Sequence, residues 1–129
     1  MRILVVDDHE LVRRGICSVL SSEPTFTICG EAVDGRDAID KGEQLRPDLI
    51  ILDLSMPVMN GLQAARILKR SNPKVSIILL TLHEQSVVES EASGAGINRV
   101  VSKADMIDLV RQARGIFTPK GPLASDPEN

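Results

Sequence analysis

Four short segments of the chain are almost uninterrupted runs of aliphatic residues, namely residues 3–6, 49–52, 75–80 and 100–101. Such runs are typical of strands buried on both faces, because a strand with one face in water alternates apolar and polar residues. A fifth segment, residues 26–29, does alternate, as Phe-Thr-Ile-Cys. The sequence therefore predicts five strands, most of them deep inside a parallel sheet.

The segments between these runs repeat apolar residues at helical spacing. In the first, Val12, Ile16 and Leu20 share one face. Capping residues predict where the second, third and fifth helices begin; they are Asp34, Asn60 and Asp105. The fourth segment, residues 84–93, has a thin apolar face and predicts a short or mobile helix.

Strict alternation of strand and helix predicts the α/β class. We expect a flavodoxin-like (βα)5 three-layer sandwich, with a parallel five-stranded sheet of order 2-1-3-4-5. This domain should occupy residues 1–114. Three of the seven prolines lie in residues 116–129, so residues 115–129 are expected to form a flexible tail or truncated linker.

Aromatic residues are almost absent, with two Phe and neither Tyr nor Trp. The core must be aliphatic, and surfaces that stack bases or flavins are disfavoured. A net charge of -3 argues against a free-standing nucleic-acid binder. Cys17 and Cys29 lack metal-type spacing and suggest reduced thiols, and no apolar run approaches membrane-spanning length. We therefore expect a cytoplasmic protein.

Polar residues end the strands on one side of the predicted sheet. Asp7 and Asp8 follow the first strand and Asp53 the third, and these carboxylates should meet where the strand order reverses. Hard carboxylate ligands suit Mg²⁺. Thr81 and Lys103 end the fourth and fifth strands, where a hydroxyl and an ammonium could bind a phosphoryl group. One such Asp alone could be only a cap, but five residues at one edge predict a joint site.

The strings ILVVDDHELVRRGI, LIILDLSMPVMNGLQAARILK, IILLTLHEQ and AGINRVVSKADMIDLV carry a family resemblance. With their spacing they resemble the receiver domain of bacterial two-component response regulators, over about residues 2 to 114. The pieces DDHELVRRG and LDLSMPVMNG look most like the branch with a helix-turn-helix DNA-binding output.

This resemblance implies roles for individual residues. Asp53 matches the phosphoacceptor, and Mg²⁺ would be held by Asp7, Asp8, Asp53 and the backbone carbonyl of Ser55. Thr81 matches the switch hydroxyl and Lys103 the lysine that pairs with the phosphoryl oxygens. The resemblance also implies that Ser55 and His83 modulate the lifetime of the acyl phosphate. Gly61 matches the loop after the phosphoacceptor strand, where glycine permits a close backbone approach or a tight entry into the helix.

The resemblance further implies a signalling protein that catalyses its own phosphorylation and dephosphorylation, with a sensor histidine kinase as phosphodonor. Its switch surface would comprise the fourth helix, fifth strand and fifth helix, and it would control an output such as transcription. A homodimer would form through that surface or through the first and fifth helices. DNA would be reached only through an output domain absent from this chain, and no membrane contact is implied.

Val100 departs from the family pattern, because the family usually has an aromatic residue there that couples the switch hydroxyl to the output surface. The switch is therefore expected to be altered. The alternative functions are a stand-alone receiver, or a pseudo-receiver that acts as a protein-interaction module. A flavin or dinucleotide site fits poorly, since Gly94 and Gly96 precede a strand instead of following one. A phosphatase would need an acid where Ser55 stands.

Overall fold

A computed structural model describes residues 1–82 and 85–117 of the chain. It contains one parallel sheet in the order β2-β1-β3-β4-β5, which confirms the predicted fold. Strands and helices alternate: β1 (Arg2–Val6), α1 (Glu10–Ser21), β2 (Thr27–Ala32), α2 (Gly35–Leu45), β3 (Leu49–Asp53), α3 (Gly61–Ser71), β4 (Ser76–Thr81), α4 (Gln85–Gly94), β5 (Arg99–Ser102) and α5 (Met106–Phe117).

Two aliphatic cores cover the two faces of the sheet. Because successive side chains in a strand point to opposite faces, Leu4 and Val6 pack into the core shared with α2, α3 and α4. Ile3 and Val5 pack into the opposite core, with α1 and α5. Central strands buried on both sides explain why the sequence shows continuous runs there instead of alternation.

The predicted capping residues begin three of the helices. Asp34 accepts a hydrogen bond from the Asp37 amide at 2.8 Å. Asn60 forms a reciprocal capping box with Gln63. The Asp105 carboxylate accepts from the Asp108 amide at 3.0 Å. These bonds satisfy amides that the first turn leaves without partners.

The element bounds differ from prediction in two places. β2 continues to Ala32, three residues beyond its predicted end, because its pairing with β1 resumes after an irregularity between Ile3 and Leu4. α4 has ten residues, fewer than any other helix in the described part of the chain, which agrees with the short helix predicted there. α5 continues to Phe117, past the expected boundary at 114, and Ile116 packs against the core that contains Ile3.

Residues 118–129 of the expected tail and His83 lie outside the described residues. Within the described ranges, no helix combines the length and apolarity that a bilayer span requires.

Candidate functional site

The carboxyl edge of the sheet gathers the polar residues expected there. Asp53 and Thr81 are the last residues of β3 and β4, whereas Asp7 and Lys103 directly follow β1 and β5. Asp7, Asp53 and Thr81 are the buried polar or charged residues of the described chain, at no more than 2% exposure. β1 pairs with β2 on one side and β3 on the other, so the site lies where the strand order reverses.

Lys103 contacts two of the carboxylates. Its Nζ lies 2.9 Å from Asp7 Oδ2 and 3.3 Å from Asp53 Oδ1. Its side chain is only 14% exposed, so water screens these contacts weakly. The Lys103 amide also donates to the Thr81 carbonyl at 3.0 Å, which fixes the start of the loop after β5 against the end of β4.

The segment after β1 holds the remaining acidic group. The His9 amide donates to Asp7 Oδ1 at 2.8 Å. The His9 ring is 69% exposed, but its Nδ1 lies 3.2 Å from Asp8 Oδ1 and 3.6 Å from Asp7 Oδ1. Asp7, Asp8 and His9 therefore bring three potential metal-ligand atoms within 4.8 Å of one another.

The pocket carries more negative than positive charge. Burial raises the pKa of Asp53, and the neighbouring Asp7 charge raises it further; Lys103 and the Ser55 amide act in the opposite direction. Burial alone would lower the pKa of Lys103, but its contacts with Asp7 and Asp53 outweigh burial and raise that pKa. Among the described residues, buried Asp53 Oδ2 has no hydrogen-bond partner. Hard oxygen donors with surplus negative charge fit a divalent cation such as Mg²⁺.

The loop after β3 is held against the strand it leaves. The Ser55 amide donates to Asp53 Oδ1 at 3.3 Å. Gly61, the first residue of α3, donates its amide to the Leu54 carbonyl at 2.9 Å. A Cβ at Gly61 would lie 2.5 Å from the backbone oxygen of Asp53, so only glycine allows this approach.

Sequence reasoning missed a strained turn in the same loop. The Met59 amide donates to the Pro57 carbonyl at 2.7 Å, and the residue between them, Val58, has φ of 72°. This is a γ-turn, whose positive φ is unfavourable for a β-branched residue. A valine carries no sequence signal for such a backbone.

Sequence reasoning also missed two residues that support the acidic pocket. Arg13 on α1 donates from Nη1 to the backbone carbonyl of Asp7 at 2.9 Å. Its Nε donates to Glu31 on β2 at 2.8 Å. The sequence pattern does not indicate this ion pair, because the pair forms only if β2 extends as far as residue 31.

Val100 lies on β5, half-buried against the core that contains Leu4. It lines an open groove of about 350 Å³ together with Ala92, Arg99 and Gln112, among others. Arg99 donates to Gln112 on α5 at 3.1 Å. The residue at the expected aromatic position is therefore a small one beside an open surface.

A family model described as the response regulator receiver domain matches residues 3–114. The chain belongs to that family. The response regulator protein VraR of Staphylococcus epidermidis is 36% identical over 127 residues, which cover 93% of this chain and 61% of VraR. The VraR of Staphylococcus aureus is 35% identical, with 99% and 61% covered. The receiver chain thus spans about three fifths of the length of these curated relatives.

Solved structures agree with this assignment. A LuxR-family two-component response regulator from Aurantimonas sp. superposes with a TM-score of 0.86 at 30% identity, covering 89% of this chain and 83% of that one. The isolated receiver domain of RcsB from Salmonella enterica serovar Typhimurium, in the presence of phosphomimetic BeF3-, superposes with a TM-score of 0.83 at 29% identity. It covers 99% of this chain and 94% of that one. The chain is a receiver domain and has the fold of these response regulators.

Proposed function

We propose that this receiver domain accepts a phosphoryl group on Asp53 from a sensor histidine kinase. The proposal rests on the different contacts of the two oxygens of the Asp53 carboxylate. One oxygen, Oδ1, is held by Lys103 and the Ser55 amide, whereas Oδ2 is buried without a hydrogen-bond partner among the described residues. One oxygen is thereby oriented and the other is available as a nucleophile.

In the proposed transfer, an Asp53 oxygen attacks the phosphorus of a phosphohistidine. The new O–P bond forms as the P–N bond breaks, and the imidazole nitrogen keeps that electron pair. Lys103 then pairs with a phosphoryl oxygen, since its ammonium already lies 3.3 Å from the carboxylate that is modified. Thr81, buried at the end of β4, would turn its hydroxyl to the same group.

Asp7, Asp8 and Asp53, with the Ser55 carbonyl, would hold Mg²⁺. When bound, this ion neutralises negative charge that develops on the transferring group. The surplus of buried carboxylates in the pocket supports this ligand set. Hydrolysis of the acyl phosphate by water would later reset Asp53, with Ser55 and His83 tuning its lifetime. The domain would thus catalyse both its own phosphorylation and its own dephosphorylation.

Downstream of the site, we propose that phosphorylation changes the surface formed by α4, β5 and α5. Val100 on β5 makes this surface differ from one with a buried aromatic switch. A homodimer through this surface, or through α1 and α5, would pass the signal to an output that regulates transcription in the cytoplasm. DNA binding would belong to an output domain, and the proposal includes no membrane contact.

The test is phosphorylation by a small acyl-phosphate donor with Mg²⁺, followed by intact-protein mass spectrometry. The wild-type domain should gain the mass of one phosphoryl group, and Asp53→Asn should gain none. Asp40→Asn is the matched control, because Asp40 is an exposed carboxylate on α2. Asp40→Asn should behave like the wild type. Modification that survives in Asp53→Asn, or its absence from the wild type, would refute the proposal, and the latter outcome would favour a pseudo-receiver.

A further inference from the structure

Arg13 joins three elements beneath the acidic pocket. It lies on α1, its side chain is 12% exposed, and its guanidinium contacts both the Asp7 backbone carbonyl and the Glu31 carboxylate. The Asp7 amide in turn donates to the carbonyl of Ala32, next to Glu31 on β2. The end of β1, the first turn of α1 and the end of β2 are therefore joined by contacts around Asp7.

These contacts oppose a force that the pocket itself creates. Asp7 and Asp53 are both buried, and Asp8 is the next residue along the chain, so their mutual repulsion favours outward movement of the segment that carries Asp7 and Asp8. Lys103 restrains the Asp7 side chain but not its backbone. A hydrogen bond from a charged guanidinium is stronger than a neutral one and suits this restraint.

Glu31 fixes the orientation of the Arg13 guanidinium. Arginine has many rotamers, and a partner at 2.8 Å from Nε fixes the plane of the guanidinium and aims Nη1 at the Asp7 carbonyl. The adjacent Arg14 lacks such a role. Its side chain is 70% exposed and pairs along the helix with the exposed Glu10.

We propose that Arg13 is a positioning residue for the metal-binding carboxylates Asp7 and Asp8, and that Glu31 orients it. This inference rests on the proposed function, in which these carboxylates hold a divalent cation. Arg13 itself contacts the backbone of Asp7 and no reacting atom, so its loss should affect how tightly the ion is held more than how fast the phosphoryl group is transferred.

The first experiment uses the metal-free domain. Hydrogen exchange of the His9 amide, which donates to Asp7 Oδ1, reports on the order of the Asp7–His9 segment. Arg13→Gln should speed this exchange by roughly tenfold, Arg13→Lys less, and Arg14→Gln not at all. Urea unfolding of each variant separates a local change from global loss of stability. Unchanged exchange at His9 in a folded Arg13→Gln would overturn the proposal.

The second experiment measures the Mg²⁺ concentration that gives half-maximal phosphorylation by an acyl-phosphate donor. Arg13→Gln should raise it roughly tenfold while the maximal rate at saturating Mg²⁺ stays within about twofold, because supporting residues mainly affect metal affinity. Arg13→Lys and Glu31→Gln should fall between Arg13→Gln and the wild type.

Two results would contradict the proposal here. One is an Arg13→Gln domain whose Mg²⁺ requirement equals that of Arg14→Gln. The other is a lower maximal rate with an unchanged Mg²⁺ requirement. If the wild type takes no phosphoryl group, the proposed function fails, whereas the hydrogen-exchange comparison still decides whether Arg13 positions the segment.

Discussion

Replacing Gly61 by alanine tests how tightly α3 must begin against the end of β3. The added Cβ would lie 2.5 Å from the Asp53 backbone oxygen, 2.8 Å from Leu79 Cδ1 and 2.9 Å from Leu54 Cα. Two of these three atoms belong to the backbone. They cannot move away as the end of a flexible side chain can, so the substitution must displace either the start of α3 or the strand that carries Asp53.

The magnitude follows from two opposing contributions. Overpacking a buried site costs about 1–3 kcal/mol, and contact with backbone places Gly61→Ala near the upper end. Alanine in a helix gains at most about 1 kcal/mol over glycine. The net expectation is a loss of about 2 kcal/mol in the free energy of unfolding. Gly15→Ala is the control, because nothing lies within 4 Å of its new Cβ on α1. That variant should gain up to about 1 kcal/mol.

The assay is urea unfolding followed by far-ultraviolet circular dichroism, since the domain has no Trp or Tyr to report by fluorescence. Initial rates of phosphorylation should also fall in Gly61→Ala, because the displaced atoms adjoin Asp53. A Gly61→Ala domain as stable as the wild type would show that the loop after β3 can shift with little loss of stability. The close approach of Gly61 to the Asp53 backbone would then not require glycine.

Three further predictions concern single side chains. Burial raises the pKa of Cys17 to about 11. Relative to an ordinary thiol, its thiolate population at pH 8 is about a hundredfold smaller, partly offset by higher nucleophilicity. Alkylation of Cys17 in Cys29→Ala should therefore be about tenfold slower than that of a small thiol and should accelerate up to about pH 11; equal rates would contradict this. Asn60→Ala should lower the free energy of unfolding by about 1 kcal/mol in urea, through loss of the capping box; an unchanged midpoint would contradict it. Val100→Ala should alter phosphorylation-linked dimerisation little by size-exclusion chromatography, because a small side chain already stands at the switch position; a large loss would show that Val100 transmits the signal.

The meeting of Asp7 and Asp53 at one site could be predicted from the sequence, because the strand topology alone brings them together. Continuous aliphatic runs identified β1 and β3 as central strands, and parallel central strands place their carboxyl ends at one edge. Asp7 and Asp53 therefore had to approach each other once the strands were assigned. The end of β2 was harder, because Gly30 and Glu31 look like a loop, and only pairing with β1 draws them into an edge strand.

Contacts between distant side chains could not be predicted in this way. Arg13 and Glu31 lie 18 residues apart, and their ion pair depends on where β2 ends and how α1 rotates above it. The positive φ of Val58 likewise follows from the short path between β3 and α3, not from the preference of valine. Both features are set by tertiary geometry, which local patterns do not encode.

The buried charges of the acidic pocket should also lower the free energy of unfolding of the metal-free domain. Asp53 is buried, and both burial and the Asp7 charge raise its pKa, so the folded protein holds this carboxylate at a cost in free energy. Asp53→Asn removes one charge while Lys103 keeps its contact with Asp7. With EDTA present at pH 7, we expect this variant to unfold at higher urea, with a gain of about 1 kcal/mol. Mg²⁺ should stabilise the wild type and narrow the difference. If the variant is less stable than the wild type in EDTA, the ion pair between Asp53 and Lys103 outweighs the free-energy cost of burying Asp53. The acidic pocket would then not destabilise the metal-free domain, and the reasoning would be refuted.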